Sequence, residues 1–436
     1  MQEGKLFTIQ DWPRAILHLD ADAFFASCEQ ALQPQLRNQP IVTGAERGIV
    51  SAASYEAKAL GVTRGMPLYQ VKQRWPQIAI VTSDYESYSI FSQRMFSIVR
   101  RFTESVEEYS IDEAWADITG LQRPLNSSYK NIADNIRKTV NQELGITISV
   151  GVSLNKSLAK LAAKQGKPNG LTMIPGKQIN ALLKNIPLAD IWGFGLQTTA
   201  YLQHQGLRTA YDFASRPENW VKQKLTKPGQ EIWHELRGQM VYTINPHPAA
   251  QQSISKTKTF TPPRQDANWL LAQLVRNLES ATDKLRRHHL TVSQISFYLK
   301  TQNFAYHGLT IKLDQSVNSE LPILPLLRRH FSEIYQPHTS YRATGIVLEK
   351  LSSQNNKQMN LFIDPQITAK TARLTNSIDI INHRWGKHTI HPLTSLLVNN
   401  GARGNRDKVT KRWDKLLPGE NKRQHLHIPR WSTTVH

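Results

Sequence analysis

The chain has 436 residues, too many for one ordinary core, so several domains are expected. Its 54 Lys and Arg against 34 Asp and Glu leave a net charge of +20, which points to a polyanionic partner, nucleic acid ahead of an acidic membrane surface. A hydrophobic content of 39% argues against a disordered chain, no apolar run reaches the length of a membrane span, and the single cysteine, Cys28, rules out an internal disulfide and fits a reducing, cytoplasmic setting.

"AILHLDADAFF" alternates like a strand, with His18, Asp20 and Asp22 on one face and Leu17, Leu19 and Ala21 on the other. "FFASCEQALQ" then reads as a helix with Asp22 as its N-cap. "GIVSAASYEAKALGV" predicts a short strand and a helix that Ser54 caps and Gly61 ends. "SVEEYSIDEAWADI" predicts two strand segments meeting near Asp112 and Glu113. Adjacent carboxylates repel, so this pair belongs either on an exposed hairpin tip or against cations. "YKNIADNIRKTVNQELG" predicts an amphipathic helix ending at Gly145, "ITISVGVSL" a strand, and "NKSLAKLAAKQGKPNG" a helix closed by a Lys-Pro-Asn-Gly turn. Strands mixed with helices in this order suggest an antiparallel or mixed sheet.

From about residue 176 the pattern turns to short helices. Gly193 and Gly195 in "IWGFG" lie between two of them, as in a helix-hairpin-helix, where backbone N–H groups can approach a phosphate. "NPHPAAQQSI" reads as a linker. Residues 256–351 predict a βαββαβ unit with helices on one face of its sheet. If Ile295, Phe297 and Leu299 face those helices, Tyr298 and Lys300 face away. The same parity is expected to put Lys256, Lys258, Lys312 and Lys350 on outward faces, where they could contact phosphates. Beyond residue 352 periodicity weakens, although "LTNSIDIINHRWG" has helical character, and the stretch from Gly401 reads as a basic tail.

Strands bearing Asp20, Asp112 and Glu113 could meet in one sheet. Three convergent carboxylates call for cations, and hard oxygen ligands at this density favour magnesium. Two such ions suit a phosphoryl transfer. Tyr55, Lys58 and Lys160 would suit a triphosphate.

"LDADAFFASCE", "SYEAKALGVTRGMP", "YSIDEAWADITG", "SVGVSLNKSLAKLAAKQGKPNG" and "IWGFG" together resemble, in order and spacing, the Y-family translesion DNA polymerases over residues 15–350. "ELRGQMVYTINPHP", "YRATGIVLEKL" and "QMNLFID" look more like the UmuC-type branch, the catalytic subunit of bacterial polymerase V, than like the DinB-type branch. The resemblance implies an α+β right-hand architecture. Its palm would span residues 1–23 and 85–175, its fingers 24–84, its thumb 176–245, a linker 246–255, a little finger 256–351 and a basic tail 352–436. It implies that Asp20, Asp112 and Glu113, with the Ala21 carbonyl, hold two Mg2+ ions. Phe25 would be the steric gate against a ribose 2′-OH, and Phe24 core. Tyr55, Lys58 and Lys160 would bind the nucleotide, and Ser51 and Gly65 would roof the templating base. Gly193, Gly195, Lys256, Lys258, Lys300, Lys312 and Lys350 would contact DNA. Gln358, Met359, Asn360, Leu361 and Phe362 resemble a peptide that binds the sliding clamp.

The implied partners are primer-template DNA, deoxynucleoside triphosphates and the clamp, with a UmuD-type dimer and a recombinase filament possible, no membrane, and a bacterial, nucleoid-associated location. Two departures stand out: Ala52 replaces a common Thr, and Lys164 lies where an acid is common and adds charge beside the primer. The rival readings are a magnesium-dependent nuclease and a clamp- and DNA-binding scaffold with a retired palm.

Overall fold

The computed structural model describes residues 11–247, 250–354, 365–386 and 388–398, in two compact units that divide near residue 248. Among the described residues no helix is long and apolar enough to cross a membrane.

In the first unit β1 (Ile16–Ala21) leads into α1 (Phe24–Leu32). A small sheet follows from β2 (Ile41–Thr43), β3 (Ala52–Ala53) and β4 (Ala79–Val81), with α2 (Tyr55–Ala59) and α3 (Leu68–Arg74) between the last two. Ser54 caps α2 by accepting from the Ala57 N–H at 3.3 Å, and Gly61 follows it with φ 94°. The expected cap of α1 is different: its N-cap is Ala23, at φ 47° and without a side-chain bond, because Asp22 is engaged elsewhere.

Next come α4 (Tyr85–Val99), β5 (Val106–Glu108), β6 (Glu113–Asp117), α5 (Tyr129–Leu144), β7 (Ile148–Ser153), α6 (Lys156–Gln165) and β8 (Leu171–Met173). They complete a mixed sheet in the order β5-β6-β1-β7-β8, in which only β7 and β8 run parallel. The central strand β1 is covered on both sides. Leu17 and Leu19 join a core with α4 and α5, while Ile16 packs with Trp115 and Ala159 beneath α6. The unit then continues in short helices: α7 (Ile179–Lys184), α8 (Leu196–His204), α9 (Ala210–Ala214), α10 (Glu218–Lys224) and α11 (Lys227–Leu236). Buried Glu235 ties them back to α6: its carboxylate accepts from the N–H groups of Ser157, Val241 and Tyr242.

The second unit has the expected order: β9 (Ser253–Arg264), α12 (Ala267–Arg287), β10 (Leu290–Thr301), β11 (Tyr306–Val317), α13 (Leu324–Ile334) and β12 (Tyr341–Ser353). Its antiparallel sheet runs β11-β10-β12-β9, with Ile295, Phe297 and Leu299 in the core beside α12. β9 starts at Ser253, inside the stretch expected to be linker.

The parity of the lysines needs correction. Lys312 does share the open face with Ser296, Tyr298 and Lys300. Lys256 and Lys258 instead pair with Ile346 and Thr344, both buried, and share the parity of Ile254 and Phe260, which pack into the core. Those apolar residues set the register of the edge strand β9, and in a strand register decides the face of every side chain. Lys350 is exposed at φ 52°, a local irregularity rather than a regular strand position.

Nor is the region after residue 352 simply a tail. α14 (Pro365–Trp385) and a 3-10 segment, Leu393–Val398, fold back on this unit. Arg286 of α12 donates to both Asp379 oxygens at 2.7 and 2.8 Å and to Glu320 at 3.1 Å, and His388 pairs with Glu279 at 2.7 Å. The stretch from Gly401 and the peptide 357–363 lie outside the described residues.

One glycine sets how closely α6 approaches the main sheet. A Cβ on Gly151 of β7 would fall 2.2 Å from both the Ala159 oxygen and the Ala163 nitrogen, backbone atoms that cannot rotate away. Gly151→Ala should therefore push α6 off the sheet at a cost of about 1–3 kcal/mol or more. Thermal unfolding of the full chain should show a midpoint lower by several degrees; an unchanged midpoint would mean that helix and sheet are not packed this closely.

Candidate active site

Strand pairing brings the acids together. Asp20 lies opposite Glu113 in the β1–β6 register, and the Ala21 N–H donates to the Asp112 carbonyl oxygen at 2.8 Å. Glu113 is buried, while Asp20 and Asp112 are half-buried. This is no exposed hairpin tip. Lys160 Nζ lies 2.5 Å from Glu113 Oε2, the Lys167 ammonium pairs with Asp20, and the Ser110 hydroxyl donates to Asp112.

The electrostatics follow from burial and these cations. Burial pushes the Asp20 carboxyl up, against the pull of Lys167. Burial would also raise Glu113, but His18 and the Lys160 ammonium outweigh it and bring that carboxyl down to about 2. His18 is itself pushed down by burial. Its Nε2 stands 3.5 Å from Glu113 Oε2, at the outer limit of a polar contact.

Aromatic rings form the floor. The Lys160 ammonium lies 5.7 Å from the ring centres of both Tyr109 and Trp115. Trp115 Nε1 donates to the Lys156 carbonyl at 3.1 Å, and Lys156 Nζ pairs with Glu107 at 2.5 Å. Residues of α6 are therefore fastened to both strands of the acid-bearing hairpin.

Asp22 works as a brace. Its carboxylate accepts from the Ser149 hydroxyl and from the Asn169 N–H, each at 2.8 Å. Burial, with Asp22 and Asp20 nearby, pushes Tyr55 up to about 12. Lys58 Nζ sits 4.2 Å from the Tyr55 ring centre, and burial together with the Lys167 charge lowers its pKa. The structure thus brings Tyr55, Lys58, Lys160 and Lys167 to the acids.

Phe25 is half-buried, stacked on Tyr88 at 4.5 Å and edge-on to Tyr85 at 5.5 Å, whereas Phe24 is core. Ser51 and Gly65 lie in the small-sheet region, where the Gly65 N–H donates to the Val50 oxygen next to Ser51. Gly195 caps α8, and nothing lies within 4 Å of where its Cβ would be. Gly193 is instead favoured by its backbone, at φ 87°, and a Cβ there would also meet the movable Ile232 Cδ1 at 2.8 Å. Only a 3-10 turn, Leu188–Asp190, immediately precedes this pair of glycines.

Sequence reasoning missed Lys167, which it read only as part of a turn, and the bracing role of Asp22. The short-range signal at Lys167 is Lys-Pro-Asn-Gly itself; that Asp22 anchors Asn169 is visible only in space. The Lys164 ammonium pairs with Asp190 at 2.7 Å.

The impB/mucB/samB family matches residues 19–164, and its C-terminal domain matches residues 251–361. A protein of Desulfatibacillum aliphaticivorans called DNA polymerase IV is 29% identical over 89% of this chain and 98% of its own length. Another of that name from Staphylococcus aureus strain JH9 is 30% identical over 80% of this chain and 98% of its own. Among solved structures, a Y-family DNA polymerase chimera of Dbh and Dpo4 is similar at TM-score 0.66 and 24% identity, over 78% of this chain and 99% of its own, and shows the fold. These relatives do not support the UmuC-type placement. By sequence, the chain belongs to the impB/mucB/samB family and is a DNA-directed DNA polymerase.

Proposed function

We propose that the chain extends a primer 3′ end with deoxynucleotides opposite damaged template bases, with low fidelity and low processivity. The observation that carries this reading is the pairing of Asp20 and Glu113 with the ammonium groups of Lys167 and Lys160. Neither a nuclease nor a retired scaffold has a use for triphosphate cations held beside intact acids. Primer shortening would reveal the first and absence of turnover the second.

Asp20, Asp112 and Glu113 are hard oxygen donors on paired strands, and two of them already hold cations, so the donor set fits divalent metal. With the Ala21 carbonyl they would hold two Mg2+ ions. Among the described residues no three His, Cys, Asp or Glu side chains converge as a metal-holding group, and Lys160 and Lys167 stand on the Glu113 and Asp20 oxygens that a metal would use. When bound, such ions would supply activation of a primer hydroxyl and charge neutralisation for a leaving pyrophosphate. Lys160 and Lys167, released from the acids, would join Lys58 and the Tyr55 hydroxyl on the triphosphate. Asp22 holds the Lys167 turn in place for that task.

The palm, fingers, thumb and little finger are assigned with the boundaries given above, except that β9 extends the last to Ser253. Gly193, Gly195, Lys300 and Lys312 would contact DNA phosphates; Lys256, Lys258 and Lys350 do not share the open face on which that expectation rested. The UmuC-type reading rests on short stretches such as "QMNLFID", whereas relatives called DNA polymerase IV favour the DinB-type branch. Extension by the purified chain alone would support DinB-type; a requirement for a UmuD-type dimer and a recombinase filament would support UmuC-type.

Glu113→Gln should preserve folding and DNA binding but lower primer extension by orders of magnitude, because it removes a charge that cations need. Near-normal extension by that variant would refute the assignment.

Phe25→Ala should let ribonucleotides in far more readily. An unchanged ribo-to-deoxy incorporation ratio would make Phe25 merely a packing partner of Tyr88.

The clamp peptide stands on its sequence alone. Leu361→Ala with Phe362→Ala should abolish stimulation by loaded clamp and leave clamp-free extension nearly intact, because a tether raises local concentration without touching the site. Equal stimulation of both proteins in a primer-extension assay would refute it.

A further inference from the structure

We infer that the hairpin tip joining β10 and β11 is a stacking site for an unpaired base of single-stranded DNA. This rests on the reading that the chain acts on DNA, and adds a ligand to a surface so far assigned only phosphate contacts.

Large aromatic side chains are normally covered. Phe304 and Tyr306 are 59% and 61% exposed at this tip. Phe304 also sits at φ 72°, a conformation that a bulky residue rarely adopts. The turn is well built: the Thr301 hydroxyl accepts from the Ala305 N–H at 3.0 Å, and the Gln302 N–H donates to the Ser340 oxygen at 2.9 Å. The rings are thus presented by a fixed turn.

Two cations lie against them. Lys300 Nζ is 5.0 Å from the Phe304 ring centre, 4.5 Å from that of Tyr306 and 2.7 Å from the Tyr306 hydroxyl. The Arg342 guanidinium is 4.3 Å from Phe304. Tyr306 meets Tyr298 edge-on at 5.3 Å, continuing the aromatic surface onto the open face of the sheet. Tyr298 can lie flat there because Gly345 has no side chain: a Cβ would fall 2.2 Å from Tyr298 Cζ. Its hydroxyl reaches Thr257 at 3.0 Å.

Exposed rings with cations beside them match the chemistry of a single strand. A base supplies a π face to the rings, and its own phosphate meets the ammonium and guanidinium. Duplex DNA offers the phosphates without the free face. An apolar protein partner would gain nothing from the two cations, whereas a +20 chain already favours a polyanion.

The test is fluorescence anisotropy of the full chain with two labelled oligomers of about twelve nucleotides, one of thymidines and one wholly abasic. Wild type should prefer the thymidine strand. Phe304→Ala with Tyr306→Ala should lower affinity for that strand about tenfold and leave the abasic strand unchanged. Phe304→Trp with Tyr306→Trp should keep the preference, which a merely disturbed turn would not. An equal affinity of wild type for both strands, or a preference that survives the double alanine change, would overturn the inference. Primer extension by the same wild-type preparation separates the two failures. Extension without base preference sinks only this site, and absence of extension sinks the polymerase reading.

Discussion

The first unit is organised around the ion pair between Glu113 and Lys160. Burying a carboxylate beside two others is unfavourable unless a cation comes with them. The cation must come from a rigid element. α6 supplies it, and α6 can do so because Gly151 admits its backbone against β7. Trp115 then closes the contact, with its Nε1 on the Lys156 carbonyl and its ring beneath both lysines. Sheet, helix and acids therefore specify one another.

A second layer of the same logic connects the small sheet to the main one. Asp22 follows β1 yet bonds β7 and the turn after α6, and its charge acts on Tyr55 at the start of α2. Its cost of burial is met by a hydroxyl and a backbone N–H, so it need not carry a counter-ion. Two acids one residue apart, Asp20 and Asp22 on either side of Ala21, thus do opposite jobs. One is held ready for a cation, and the other is spent on neutral donors.

The second unit depends on register rather than on charge. Ile254 and Phe260 commit β9 to the core, which leaves an open face of small and polar residues with an aromatic end. The helix α14 is held to α12 by Arg286 between Asp379 and Glu320, a planar fork meeting two carboxylates. Burial pushes against the charge of Arg286, and the two acids overcome it.

Much of this was legible in the chain. Alternation over 16–21, the caps at Ser54 and Gly145, and the βαββαβ order are local signals, because period and turn chemistry act over a few residues. So was the demand for cations near Asp112 and Glu113, since adjacent carboxylates repel wherever they sit. Other features were decided only in three dimensions. Lys256 and Lys258 alternate as open-face residues do, but cross-strand pairing with Ile346 and Thr344 assigned them to the other side. Asp22 has the composition of a helix cap, yet donors 127 and 147 residues away claimed it. Residues 365–385 lack a strong periodic stripe, and their helix is held by an arginine 93 residues earlier. Sequence determines what each segment can satisfy locally; the tertiary fold decides which distant group satisfies the rest, because burial makes every polar atom find a partner.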